Sequence, residues 1–342
     1  MGILLCFGFS HFSILYRSER LYLCTILIMK KSLIRLLLFS IIPLAIIIFS
    51  IELLGKHTDN FYLRFTSPKQ NSLILGSSRA AFTDPAIIDG IVNKKFPAAK
   101  LYNYAFTYAH SPYGPKYLES IEKKLEKNSK DGLFIVTIEP TAVMVSKEFP
   151  DDPKYFIEND KSVAKTSCVS CNPNLEYLLE SYDFSITTEL NKKIHREKNK
   201  VADVDILKNG KLQVKILKTF PDKKLKELHI SNMKTFTERL QGLKVSEVRL
   251  NYLAKTLKFL QKHGTVIVVR LPISEIPYDI ERTYFSNFDA RIQEICNSQN
   301  IFFKNYNLEK EHYQYTDDVH LTPEQNNIFS KNLAEDILLY AK

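Results

Sequence analysis

Five short apolar runs, separated by stretches with helical periodicity, constrain the fold of this chain more than any other feature. Continuous apolar runs of this length are typical of strands that are buried on both faces, as in a parallel sheet. Parallel strands need crossover connections, so the alternation predicts right-handed βαβ units and a three-layer α/β/α domain with about five strands. The runs are Ser72–Gly76, Lys100–Ala105, Leu133–Ile138, Thr265–Leu271 and Ile301–Phe303.

Helix start signals lie between these runs. At three places an N-cap residue precedes a proline at the first helical position, which is a favoured helix N-terminus. Apolar residues at helical spacing predict two further amphipathic helices, over Ser246–Lys262 and Phe288–Ser298. The three N-cap pairs are Asp84-Pro85, Ser111-Pro112 and Thr322-Pro323, the last with Gln325 completing a capping box.

The alternation breaks between about residue 146 and residue 245, and we interpret this stretch as an insertion between the third and fourth strands. Apolar spacing predicts a helix over Leu175–Leu190. The residues on either side of Asn209-Gly210 predict a β-hairpin with a type I′ turn, which this dipeptide favours. The insertion fits a lid or substrate platform as well as it fits a decorated surface.

An apolar segment near the N-terminus, Leu33–Leu54, has the length that a helix needs to cross a bilayer. Lys30 and Lys31 precede it, so the positive-inside rule places the N-terminus in the cytoplasm and the rest of the chain outside. We predict a signal anchor over residues 29–56 and a hydrolase-like domain over residues 57–342. Residues 1–28 form an uncertain extension: Met29 is a candidate true start, and a short second membrane helix is the alternative. A cleaved signal peptide competes with the anchor, but no clear small-x-small cleavage site follows.

Charge and cysteine content argue against two classes of partner. The formal net charge is +9, but the basic residues are spread along the chain, which indicates a solvated Lys-rich surface and no nucleic-acid partner. Cys168 and Cys171 form a single C-x-x-C with no second pair or flanking His, so we predict no metal site. In an oxidising location they would form a disulfide or stay as two idle thiols. We predict no cofactor.

Two short motifs carry the chemistry. Gly76-Ser77-Ser78-Arg79 follows the first predicted strand, where glycine permits a tight turn that exposes a Ser hydroxyl at the carboxyl edge of the sheet. Asp317 and His320 lie three residues apart, just before the last predicted helix. A hydroxyl nucleophile needs a base, and the base needs a carboxylate to orient it. Asp318 is a rival for the orienting role, with less suitable spacing.

Together, the strand-end Gly-x-Ser and the Asp-x-x-His before the last helix resemble the SGNH (GDSL-like) hydrolase superfamily, in its members with G-S-S-R. The resemblance covers roughly Leu73 to the C-terminus, apart from the insertion. It implies a flavodoxin-like fold and the hydrolysis or transfer of acyl esters. Many envelope members act on O-acetyl groups of polysaccharides, and a related family helps to D-alanylate teichoic acids. By position, Ser78 corresponds to the nucleophile, His320 to the base and Asp317 to its orienter.

The chain departs from the family in the oxyanion hole, which usually uses a Gly after the second strand and an Asn after the third. Tyr108 stands near the place of the Gly, where a backbone N–H could serve, and Glu139-Pro140-Thr141 follows the third strand. Arg79 and Asn103 are the alternative donors that we predict. Glu139 could line the site, cap a helix or lie on the surface.

The sequence therefore predicts a membrane-anchored, extracytoplasmic serine esterase or acyltransferase acting on O-acyl groups of a cell-envelope glycan. Its expected partners are the membrane, the acylated glycan and a polysaccharide-modification machinery. The alternative is a catalytically weakened subunit that binds glycans or assists polysaccharide assembly, which the altered oxyanion hole favours.

Overall fold

The computed structural model describes residues 7–56, 61–181 and 202–340, and the chain divides into two compact units, Met1–Lys56 and His57–Lys342. The first unit contains a single described helix, α1 (Phe7–Lys56). Within α1, the span Ile26–Ile51 is long and apolar enough to cross a membrane, with a mean hydropathy of 2.6. It overlaps the predicted anchor Leu33–Leu54. The predicted boundary at Met29 falls inside α1, so the separate role of residues 1–28 stays a prediction.

The second unit is built on a five-stranded sheet with the order β2-β1-β3-β8-β9, and every neighbouring pair is parallel. All residues of β1 and β3 are buried, as their uninterrupted apolar sequences require of strands with helices on both faces. The predicted α/β class with about five parallel strands is confirmed. The strands are β1 (Ser72–Leu75), β2 (Leu101–Asn103), β3 (Gly132–Thr137), β8 (Gly264–Arg270) and β9 (Phe302–Asn305).

Helices connect these strands and fill the outer layers. The described helices of this unit are α2 (Tyr62–Thr66), α3 (Ser78–Ala81), α4 (Pro85–Val92), α5 (Pro115–Lys124), α6 (Ser162–Lys165), α7 (Leu175–Glu180), α8 (Asp222–Gln241), α9 (Glu247–Leu260), α10 (Glu275–Tyr284), α11 (Phe288–Ser298) and α12 (Pro323–Tyr340). Short 3₁₀ turns span Pro140–Val143, Pro153–Tyr155, Ile157–Asp160 and Tyr306–His312.

Two of the predicted N-caps form as expected. The Asp84 carboxylate accepts hydrogen bonds from the amides of Ala86 and Ile87 at the start of α4. Thr322 Oγ1 accepts from the amide of Gln325 (3.3 Å) at the start of α12. Only this half of the predicted capping box forms, because the Thr322 amide donates to the carbonyl of Gln314 instead (3.0 Å).

The predicted helix start at Ser111-Pro112 is wrong. Helix α5 begins at Pro115, after Gly114 as its N-cap. The Ser111 hydroxyl does not cap a helix because it donates to the carbonyl of Gly76 (2.7 Å). This bond joins the segment after β2 to the turn that leaves β1.

The insertion begins and ends at an antiparallel pair, in which β4 (Met144–Ser146) lies beside β7 (Leu243–Val245). It contains the predicted hairpin, formed by β5 (Ala202–Ile206) and β6 (Leu212–Ile216). It also contains α7, which ends at Glu180; residues 182–201, the rest of the predicted helix Leu175–Leu190 and more, lie outside the described residues.

The hairpin turn is not type I′, which needs a positive φ at both central residues. Of the two central residues, Asn209 and Gly210, only Gly210 has a positive φ (81°). The amide of Gly210 donates to the carbonyl of Leu207 (2.8 Å). The amide of Leu207 in turn donates to the carbonyl of Lys211 (2.9 Å), so the loop has three residues with glycine at the bulge position.

The tip of the hairpin docks on the outer strand of the sheet. The carbonyl of Asn209 accepts from the amide of Asn103 (2.8 Å), and that of Gly210 accepts from Arg64 Nη2 (3.1 Å). Lys211 Nζ pairs with Asp84 (2.6 Å). The tip therefore covers part of the exposed edge of β2, where unpaired backbone groups would otherwise face solvent.

The N-terminal part of this unit is held by one buried ammonium group. Lys124 Nζ donates to the carbonyls of Arg64 (2.8 Å), Ser67 (2.7 Å) and Val169 (2.8 Å), and the residue is fully buried. Val169 lies between Cys168 and Cys171, which form a disulfide; the alternative of two idle thiols is not what the structure contains.

We expect Lys124→Met to lower the free energy of unfolding by about 3 kcal/mol, because three buried carbonyl oxygens lose their donor. Lys123→Met is the matched control: the Lys123 side chain is 39% exposed and forms an ion pair with Glu119 (2.8 Å), so its loss should cost about 0.5 kcal/mol or less. Chemical unfolding followed by tyrosine fluorescence measures both, since the chain has no Trp. Equal losses in the two variants would contradict the expectation.

Candidate active site

A glycine turn at the end of β1 positions the first candidate residue. Gly76 has φ 145°, and a Cβ at this position would lie 1.7 Å from Thr137 Oγ1 on the neighbouring strand β3. Its amide donates to the hydroxyl of Tyr117 (3.2 Å), and its carbonyl accepts from Ser111 Oγ. Only glycine fits this close approach, and the turn delivers Ser78 as the first residue of α3.

The second half of the site lies on a closed loop before α12. Tyr315 and Leu321 form an antiparallel bridge across the base of the loop, and the amide of Thr316 donates to the carbonyl of His320 (2.8 Å). Asp317 Oδ1 accepts from the amide of His320 (2.9 Å), which sets the two side chains next to each other. The three-residue spacing thus acts through a turn, as the sequence predicts.

The structure brings Ser78, His320 and Asp317 together at the carboxyl edge of the sheet. His320 Nε2 lies 2.9 Å from Ser78 Oγ, and His320 Nδ1 lies 2.9 Å from both carboxylate oxygens of Asp317. Ser78 and His320 are separated by 242 positions in the chain. All three side chains are therefore within hydrogen-bond reach in the order that proton transfer from a hydroxyl requires.

The carboxylate of Asp317 is held in its charged form. Burial is the largest single effect and raises its pKa, but the hydrogen bond and charge of the His320 ring, together with the amides of His320 and Val319, lower it by more. The net effect holds the pKa of Asp317 below its usual value. An ionised Asp317 can accept a hydrogen bond from His320 Nδ1, which leaves Nε2 free to act as a base toward Ser78.

The guanidinium of Arg79, a predicted oxyanion donor, is not exposed to a substrate: Nε and Nη2 form buried ion pairs, and Nη1 is buried with no hydrogen-bond partner among the described residues. Arg79 Nε lies 3.0 Å from Glu139, and Nη2 lies 2.7 Å from Glu281. Burial alone lowers the pKa of Arg79, but the charges of these two carboxylates hold it above its usual value. Glu139 is buried, so the predicted surface position is wrong. It stands at the predicted cap position, as the N-cap residue of the 3₁₀ turn Pro140–Val143, but its carboxylate makes no capping hydrogen bond.

Asn103 is not an oxyanion donor either. Its side-chain amide donates to the carbonyls of Ala80 (2.8 Å) and Thr83 (3.0 Å), and its Oδ1 accepts from the amide of Ala105 (3.2 Å). The residue is fully buried, so its side chain secures the end of α3 rather than facing a substrate. The ring of Tyr108 lies under the guanidinium of Arg239 of α8 (4.0 Å), which leaves its backbone amide as the remaining candidate group.

Asp318, the rival orienter, has a different set of partners. Its carboxylate bonds to His229 Nδ1 of α8 and accepts from Ser274 Oγ (3.0 Å), and its carbonyl accepts from the amide of Ser274 (2.8 Å). Its φ of 68° turns its side chain away from the direction taken by Asp317. Asp318 therefore joins the loop of His320 to the insertion, a link for which the sequence carries no local signal.

A large cavity adjoins the loop of His320. Its volume is about 890 Å³, and three elements line it: the hairpin β5–β6, helix α8 with the segment before it, and the segment from Tyr315 to Asn327. Asp317, His320 and Phe82 are part of its wall, and the Phe82 ring meets the His320 ring edge to face (5.7 Å). The insertion thus contributes walls next to the candidate base.

No group of three or more His, Cys, Asp or Glu side chains in the described ranges could hold a metal ion. The neighbouring Asp and His pairs named above, Asp317 with His320 and Asp318 with His229, each supply only two such groups.

Comparison with solved structures gives distant likenesses, among them two esterases. The chain is similar to an inhibitor-bound aryl esterase of M. smegmatis at 9% identity and a TM-score of 0.33, covering 80% of this chain and 99% of that one. It is also similar to a carbohydrate acetylesterase from Sinorhizobium meliloti, at 8% identity and a TM-score of 0.33. That likeness covers 79% of this chain and 99% of the acetylesterase. No family model and no curated protein sequence matches the chain. At this level of likeness, the function has to be argued from the side chains of the site.

We expect Gly76→Ala to lower the free energy of unfolding by about 3 kcal/mol or more, through a disfavoured φ and the clash with Thr137. Gly90→Ala is the matched control: Gly90 lies inside α4 with nothing within 4 Å of an added Cβ, and the change should stabilise by about 0.5–1 kcal/mol. Thermal unfolding of the two variants provides the measurement. A Gly76→Ala protein as stable as the wild type would show that the turn is not constrained in this way.

Proposed function

We propose that this protein is an acyl esterase or acyltransferase with Ser78, His320 and Asp317 as its catalytic triad. The observation that carries the proposal is the continuous set of hydrogen bonds from Asp317 through His320 to Ser78 Oγ. The site lies where strands of a parallel sheet end, which is where α/β folds place their ligands. The geometry of the three side chains supports these proposed roles.

In the proposed mechanism, Ser78 Oγ attacks the ester carbonyl while His320 Nε2 takes the hydroxyl proton. Asp317 remains ionised and stabilises the imidazolium that forms. The tetrahedral intermediate collapses when the carbonyl carbon–alcohol oxygen bond breaks and His320 gives its proton to the departing alcohol. Water or a sugar hydroxyl then attacks the acyl-enzyme by the same steps in reverse, which gives hydrolysis or transfer.

The oxyanion of the intermediate needs donors other than the side chains of Arg79 and Asn103, which are engaged elsewhere. The amide of Ser78 opens α3 and has no acceptor within its own helix, so it is the first donor that we assign. The amide of Tyr108 is the second. A site that lacks one side-chain donor is expected to be slower by about 10²–10³-fold than one that has it.

The proposed substrate is an O-acyl ester, in particular an O-acetyl group, on a cell-envelope glycan. The supporting features are the resemblance in the two motifs and the apolar span Ile26–Ile51, which would tether the domain to a membrane. A disulfide between Cys168 and Cys171 is consistent with an oxidising, extracytoplasmic location. We propose the membrane and a polysaccharide-modification machinery as its surroundings.

The second candidate function is a glycan-binding or polysaccharide-assembly subunit with a weakened site. It is favoured by one observation: Glu139, which follows the third strand where the family places an Asn, is turned into an ion pair with Arg79. Retention of acetylated glycan by a protein that releases no acetate would select this alternative.

Triad substitutions test the catalytic proposal. We expect Ser78→Ala and His320→Ala each to reduce acetate release from an aryl acetate by about 10⁴-fold or more, since triad members act as a unit. Asp317→Asn should cost equally or less, through loss of imidazole orientation. Acetate release by each purified variant is the measurement.

Ser77→Ala is the control for this series. Ser77 Oγ accepts from the amide of Arg79 (3.4 Å) as the N-cap of α3, so its loss should reduce stability by about 1 kcal/mol and leave turnover within severalfold. Wild-type turnover that persists in Ser78→Ala would remove Ser78 from the reaction and place the chemistry elsewhere.

Reporter fusions test the proposed topology. A phosphatase that is active only outside the cytoplasm, fused after Lys342, should be active because Lys30 and Lys31 hold the N-terminal flank inside. A reporter that is active only in the cytoplasm should be silent at the same place. The reverse pattern would show that the domain faces the cytoplasm.

A further inference from the structure

The cavity beside His320 is much larger than an acetyl ester of a small alcohol needs. Cavities of roughly 300–1,000 Å³ enclose drug-sized ligands, and this one measures about 890 Å³. An acetyl group, with two carbons and one oxygen, would occupy a small part of that volume and leave most of it filled with water. The size therefore points to a further part of the substrate that the triad alone does not explain.

The lining of the cavity is largely apolar. The insertion contributes six of the larger apolar side chains, and two of them, Leu225 and Ile216, are about half exposed (49% and 51%). Apolar side chains gathered around an open cavity are typical of a surface that is covered when a ligand binds. The six are Leu212, Val214, Ile216, Phe220, Leu225 and Leu228.

The position of the cavity relative to the triad indicates which part of an ester it would take. The described residues that line it include His320 and Asp317 but not Ser78. In acyl transfer by a serine, the alcohol oxygen receives its proton from the histidine, so the alcohol lies on the histidine side of the site. The acyl group stays bonded to the serine. A cavity with His320 in its wall is therefore next to the alcohol.

We propose that this cavity binds the hydrocarbon part of an amphiphilic alcohol, the alcohol that leaves when Ser78 is acylated or that accepts the acyl group from it. This assignment rests on the proposed function and names its substrate class. The bond from Ser78 Oγ to the carbonyl carbon forms, the bond from that carbon to the alcohol oxygen breaks, and the Ser78 proton passes through His320 Nε2 to that oxygen.

Polar residues of the same cavity suit the polar part of such a molecule. Lys226 and Asn232 line the cavity and are exposed to solvent. They offer hydrogen-bond donors to a hydroxylated head, while the six apolar side chains named above offer contacts to a hydrocarbon chain. An alkyl glycoside has this combination of a hydroxylated head and a hydrocarbon chain.

The first test measures binding without turnover, on the full-length Ser78→Ala protein. Calorimetric titration with ethyl, butyl, hexyl and octyl glucoside should show affinity rising by up to about fourfold for each added methylene. Leu225→Gln, added to this protein, should weaken octyl glucoside binding by about fivefold or more. Ile230→Gln is the matched control on the same helix: Ile230 is 68% exposed and is not among the lining residues, so affinity should not change.

The second test uses turnover by the protein with Ser78 intact. The kcat/KM should rise along the series from ethyl acetate to octyl acetate, and Leu225→Gln should flatten that rise while Ile230→Gln does not. A rise along ethyl esters of longer acids instead would assign the cavity to the acyl group and overturn the proposal. Affinity independent of chain length, or equal effects of the two substitutions, would overturn it as well.

The two tests separate this inference from the proposed function. Chain-length-dependent binding that is sensitive to Leu225→Gln, in a protein that hydrolyses none of these esters, would support the cavity assignment and reject the esterase. Acetate release that depends on Ser78 but not on the alcohol chain would support the esterase and reject the assignment.

Discussion

A buried chain of charges behind the nucleophile is the interaction on which the geometry of this site depends. Arg79, the residue after Ser78, pairs with Glu139 and Glu281, and Glu281 also pairs with Arg270 (2.6 Å). Arg270 in turn pairs with Asp289 (2.5 Å). Charges in a low-dielectric interior persist only when they are paired, and removal of one leaves its partner uncompensated. These ion pairs therefore allow one arrangement of α3, β8, α10 and α11, and this arrangement gives Ser78 one position.

Much of the fold and the three triad positions could be predicted because their signals are local. Uninterrupted apolar runs reveal β1 and β3, and side-chain caps such as Asp84 reveal where helices begin. The joining of Ser78 to His320 over 242 positions follows from the topology, because both residues come after strands whose carboxyl ends lie at one edge of a parallel sheet.

The oxyanion candidates could not be predicted in the same way, because the role of a polar side chain depends on partners that are distant in sequence. Glu281, which engages Arg79, lies 202 positions away, and nothing near Arg79 indicates it. Asn103 is adjacent to a strand end in sequence but faces inward, where the carbonyls of Ala80 and Thr83 take both of its donors. A polar residue beside a motif is thus ambiguous until the buried groups that compete for it are known.

The sequence pattern leaves open whether the insertion is a lid, a substrate platform or a decorated surface. Its contacts in the structure give it a physical role. Its hairpin is joined to the sheet through Lys211 and Asp84, and its long helix is joined to the loop of His320 through His229 and Asp318. Lys211, His229 and Asp318 all line the cavity, so both attachments lie in its wall, beside the apolar side chains of the hairpin and the helix. The triad is built from the parallel sheet and its loops, whereas the cavity walls come largely from the insertion. The proposed chemistry and the proposed choice of alcohol therefore reside largely on different parts of the chain, which meet at His320 and Asp317 in the cavity wall.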